Sequence, residues 1–111
     1  MSDKKRDPGQ ALQMLWDTGP LYAEAKGMRV YLEEYRKTLK ATLMQASGAT
    51  SAAVQERDAY AAPEYLAHIQ GLQAAVEQEE RLRWRLVTAQ ASIEVWRSQE
   101  ASNRNMDKNA T

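Results

Sequence analysis

His68 is the one side chain here whose ordinary titration lies near neutral pH, so any proton relay or imidazole ligand would have to use it. It stands alone. The chain has no cysteine and no second histidine, so a metal site would rest on carboxylates around a single ring. A catalytic histidine needs a nucleophile and an orienting acid, and the nearest serines lie well away along the sequence. A structural histidine on the flank of a helix face is the expectation.

Glu77, Glu79 and Glu80 form the one carboxylate cluster. Paired carboxylates do acid–base work inside a cleft that separates their pKa values. These lie beside Arg81, Arg83 and Arg85, with Glu77 and Arg81 four residues apart, a spacing that makes ion pairs on a helix. A belt of ion pairs, solvated or between helices, is the expectation. The Glu-x-x-His pattern of a di-metal bundle is absent. So are a glycine-rich phosphate loop, a strand pattern and a nucleophile elbow. The chain reads as non-enzymatic, with no cofactor.

Charge is neutral overall but unevenly placed. Lys26, Arg29, Arg36, Lys37 and Lys40 are grouped with Tyr31 and Tyr35; Arg81, Arg83, Arg85 and Arg97 are grouped with Trp84 and Trp96. The stretch 50–80 is acidic. Aromatic rings among cations suit single-stranded nucleic acid, whose bases stack while its phosphates pair. Acidic and basic stretches can equally pair between copies of the chain and set their register. That second use is favoured, because tyrosines and tryptophans at helical spacing are more often core, and the net charge of zero gives no bulk attraction for a polyanion.

The elements that position these residues are helices. Residues 1–7 read as a disordered tail and 8–106 as one helical domain. Within it a short helix spans about 10–17, stopped by Gly19 and Pro20. Pro20 opens a second helix, 20–47, whose apolar seam is Leu21, Ala25, Met28, Leu32, Tyr35, Leu39, Thr42 and Ala46, a heptad pattern. Gly48 suits a left-handed cap. A short helix at 51–60, capped by Thr50 or Ser51, leads to Pro63 and a long helix at 63–105, with 107–111 fraying. The long helix shows Tyr65, Ile69, Leu72 and Val76, then a stammer-like shift to Leu82, Leu86, Ala89, Ile93 and Trp96. The expected fold is all-α: an elongated antiparallel helical hairpin, coiled-coil-like, with a short N-terminal helix and a short helical connector.

A second stripe, Trp84, Val87, Ala91 and Val95, covers another face of the same long helix, and two apolar faces call for two partners. In a hairpin of this length Ile93, Val95 and Trp96 would overhang. Alanine is the commonest apolar residue and phenylalanine is absent, so the core is thin. The expectation is a homo-oligomer whose interface holds Trp84, Leu86, Val87, Ile93, Val95 and Trp96. No apolar run is long enough for a membrane span, and the basic N-terminus has no apolar core behind it, so a cytoplasmic protein is expected.

From Tyr31 onward, and most of all from Leu82-Arg83-Trp84-Arg85-Leu86 through Ile93-Glu94-Val95-Trp96-Arg97-Ser98-Gln99-Glu100-Ala101, the chain resembles small uncharacterised helical proteins encoded by tailed phages. The likeness covers about two thirds of the chain and carries no catalytic motif. It implies a phage accessory factor acting in the cytoplasm of a bacterial host. In layout the chain is similar to UvsY-type recombination mediators, helical oligomers that help load a recombinase on single-stranded DNA. The expected function is an oligomeric interaction or scaffold protein in phage DNA metabolism, with a recombination or replication protein as partner. The alternatives are a mediator that binds single-stranded DNA directly and a small inhibitor of a host protein.

Overall fold

A computed structural model describes residues 7–110. Its described residues form three helices and no strand: α1, Pro8–Ala46; α2, Ala52–Ala61; and α3, Pro63–Ala110. The expected all-α class, the paired long helices and the helical connector are all present. The break at Gly19–Pro20 is not, because α1 runs straight through it. A proline disfavours helical geometry in the residue before it partly by clashing with that residue's Cβ, and Gly19 has none. The dipeptide that reads as a stop is thus one that eases proline into a helix, at the cost of the hydrogen bond to the Trp16 carbonyl.

Asp7 is not tail. Its side-chain Oδ1 accepts from the Gln10 amide at 2.8 Å and its carbonyl accepts from Ala11, so it caps α1 with Pro8 at the first helical position. Residues 1–6, the rest of the expected tail, lie outside the described residues, as does Thr111. Residues 107–110 belong to α3 rather than to a frayed end.

The chain divides into two compact units. Ala23–Glu80 holds the connector. Gly48, at φ 74°, ends α1, and Ser51 caps α2 by accepting from the Val54 amide at 3.3 Å. Ala62 is extended (ψ 139°) ahead of Pro63, as a residue before proline prefers. Ser47 donates to Asp58 at 2.7 Å, tying the end of α1 to α2. His68 lies 2.8 Å from the Leu32 carbonyl, and Glu79 pairs with Arg29. Positions falling along α1 meet positions rising along α3, so the two segments are antiparallel.

The second unit unites the described parts of Met1–Tyr22 and Arg81–Thr111. Ala11, Thr18, Leu82 and Ala89 are its buried residues, and three of these are small, which lets helix axes approach closely. The start of α1 lies beside residues 88–99 of α3, where Asp7 and Pro8 share a recess with Val95 and Trp96. The stretch expected to overhang is therefore reached by the same chain's N-terminal turn.

The inward face is rotated from the expected one. On α1 the buried or half-buried positions from Thr18 onward include Thr18, Tyr22, Ala25, Arg29, Leu32, Leu39 and Leu43; Leu21, Met28, Tyr35, Thr42 and Ala46 are exposed. On α3 they are Tyr65, His68, Leu72, Ala75, Glu79, Leu82, Leu86, Ala89 and Ile93, in unbroken alternating steps of three and four, while Ile69 and Val76 are exposed. No stammer interrupts α3. The apparent shift arose because His68 and Glu79, both polar, occupy seam positions.

Candidate functional site

The seam of Ala23–Glu80 explains two of the polar residues that might have done chemistry. The Arg29 guanidinium donates to both Glu79 carboxylate oxygens and to Glu33, the last at 3.0 Å. These hydrogen bonds, Glu79's first and Glu33's second, push Arg29 above its ordinary pKa. Glu79 is 8% exposed, and the guanidinium is what satisfies it there. Carbonyl oxygens only accept, so the Nε2 of His68 carries the proton toward Leu32, and its ring lies 5.7 Å from that of Tyr35. Both polar groups hold helices together. No group of three or more His, Asp or Glu side chains suited to a metal ion occurs among the described residues.

The basic group in Ala23–Glu80 splits by role. Arg29 is committed to the seam. Lys26, Arg36 and Lys37 are exposed, and Tyr31 stacks on Tyr35 with ring centroids 5.9 Å apart. Lys37 meets Glu34 at 3.3 Å; Lys40 meets Glu56 at 3.6 Å and lies 4.9 Å from the centre of the Tyr60 ring. Contact with Tyr60, reinforced by the charge of Glu56, raises the Lys40 pKa against the opposing effect of burial. Arg36, Lys37 and Lys40 share a recess of about 320 Å³ with Tyr60 and Tyr65, whose rings meet edge to face at 5.1 Å. Sequence reasoning named the three cations but not the two tyrosines, which approach them because the connector folds back beside α1.

In the other unit the second group is more dispersed. Arg81 and Arg85 are exposed, Arg83 lies over the Trp84 ring at 5.4 Å, and Arg97 is paired with Glu94 at 2.8 Å. The residues expected at an oligomer interface also divide. Leu86 and Ile93 are half-buried at seam positions and serve the chain's own packing. Trp84, Val87, Val95 and Trp96 are exposed. An apolar recess of about 490 Å³ opens against Ala91, Val95 and Trp96, and a second lies along α1 against Leu12, Leu15 and Trp16.

All three tryptophans are exposed, Trp16 at 78%, Trp84 at 58% and Trp96 at 41%. The buried apolar residues, by contrast, are Ala11, Ala59, Ala89 and Leu82, and no large side chain is fully buried among the described residues. No described helix is long and apolar enough to cross a membrane. No family model, no curated protein and no solved structure matches the chain.

Proposed function

We propose that the protein is a non-enzymatic helical interaction protein that works as a homo-oligomer, assembling through the exposed Trp84, Val87 and Val95 face and the flanking Trp96. The observation that carries this reading is the inversion of its aromatic content: every tryptophan is outside and the interior is built mainly from alanine. Indole offers a large apolar area with one polar handle and is among the most frequent anchors of protein contacts. A second copy is the fitting occupant because zero net charge leaves no overall repulsion between copies.

The phage-like stretch from Leu82 to Ala101 includes this face, which supports a role as a phage accessory factor in DNA metabolism within the bacterial cytoplasm. Sedimentation velocity on the full chain at micromolar concentration tests the assembly. A species larger than one chain is expected, and a strict monomer overturns it.

A further inference from the structure

Arg29 and Arg36 lie seven residues apart, at equivalent positions of the α1 heptad, yet their surroundings differ. Arg29 is saturated by Glu79 and Glu33. Arg36 pairs with no carboxylate among the described residues, stays exposed and opens onto the recess with Lys37, Lys40, Tyr60 and Tyr65. Lys40, half-buried, meets Glu56 at 3.6 Å and the Tyr60 ring at 4.9 Å, and Lys37 meets Glu34 at 3.3 Å in solvent. Exposed pairs of that kind contribute little and exchange readily.

We propose that this recess binds the phosphate of a nucleotide, with the tyrosine wall receiving its base. Three cations within five residues of one helix, one of them a guanidinium with a free fork, match the oxygens of a phosphate. The two rings give an aromatic surface beside them, as sites for unpaired bases do. A volume of about 320 Å³ lies at the small end for ligand pockets, room for one phosphate and one ring rather than a long chain. The site draws on Ala23–Glu80 alone and does not depend on the assembly face. The phosphate could be that of a free nucleotide or of a single strand, and the chemistry is shared.

The test is a titration of the full chain with deoxyadenosine monophosphate, with an oligothymidylate of about ten nucleotides and with inorganic phosphate, read by calorimetry and by NMR shifts at Tyr60 and Tyr65. Saturable nucleotide binding is expected, tighter than inorganic phosphate and weakening with salt. Arg36→Gln should weaken it about tenfold or more, the effect of losing a charged hydrogen bond. Lys37→Gln gives a second reading should the first variant misfold. Tighter binding of the oligonucleotide supports the proposal with a strand as source, and equal binding supports it with the free nucleotide. Inorganic phosphate binding as tightly as both overturns the nucleotide assignment. Absence of saturable binding, or unchanged affinity in correctly folded Arg36→Gln and Lys37→Gln, overturns the site.

Discussion

Glu79 on α3 meets Arg29 on α1 across 50 residues of sequence, and each takes a seam position that an apolar side chain would ordinarily fill. Polar pairs of this kind specify register better than they add stability. Arg29→Met should lower the melting temperature by several degrees because it strands the Glu79 carboxylate. Glu33→Gln, which alters an exposed partner, should change it far less. Combining Arg29→Met with Glu79→Leu should recover most of the loss. Thermal unfolding followed by circular dichroism decides this, and an Arg29→Met variant as stable as the parent would show the pair to be dispensable.

The glycines give a prediction of opposite signs. Gly48 has φ 74°, so Gly48→Ala should cost about 1–2 kcal/mol, although nothing lies within 4 Å of an added Cβ. Gly27 and Gly71 lie inside helices with the same open space. Replacing either by alanine should stabilise by about 0.5–1 kcal/mol. Urea denaturation of the three variants measures all of this; a stabilising Gly48→Ala would contradict the left-handed cap.

Pro20 is inside a helix, so Pro20→Ala restores a donor to the Trp16 carbonyl and should stabilise by up to about 3 kcal/mol. Were Pro20 instead the opening residue of a separate helix, alanine there would bring no such gain. Helicity and unfolding midpoint, measured together, separate the two.

Lys40 gives a pH signature. Its folded pKa is raised above the ordinary 10.5, so the stability that its charge contributes is fully present below that range and lost as pH rises through the folded value. Lys40→Met removes the contribution. The stability difference between wild type and variant should therefore be constant near neutrality and shrink above pH 10.5. A difference that persists unchanged at high pH would mean that the methylene packing of Lys40, and not its charge, is what counts.

The proposed assembly through the tryptophan face would make the melting temperature depend on protein concentration. Trp84→Ser with Val95→Ser should lower the sedimenting mass while leaving helical content intact, since both side chains are exposed. Loss of helicity at the same concentration would instead place these residues in the fold of the single chain.

The helices themselves were legible in the sequence because their punctuation is chemical: Gly48, Ser51 and Pro63 each act as their residue types require. The inward face was legible only in part. A reading by hydrophobic period finds Ala25, Leu32 and Leu39 but passes over Thr18, Arg29, His68 and Glu79, and adopts the apolar neighbours Met28, Ile69 and Val76 in their place. Arg29, His68 and Glu79 enter the seam because each has a partner some tens of residues away, which local periodicity does not register. Gly19–Pro20 misled for the opposite reason, as a strong local signal that the rest of α1 overrides. Of the residues lining the recess, charge and spacing in α1 singled out Arg36, Lys37 and Lys40. The tyrosines of the recess emerged once the connector's path was known.

That connector also orders the contacts between the antiparallel segments by the length of chain each one closes. The Ser47–Asp58 bond spans 11 residues, His68 to Leu32 spans 36, and Glu79 to Arg29 spans 50. Each doubling of a closed loop costs only about 0.6 kcal/mol in chain entropy, so pairing that starts at the capped turn extends outward at small cost per step. In Ala23–Glu80 the antiparallel segments can close like a zip from the end where Gly48 and Ser51 fix the backbone. The Arg29–Glu79 pair, the most distant of the three, then serves as the catch that admits a single register.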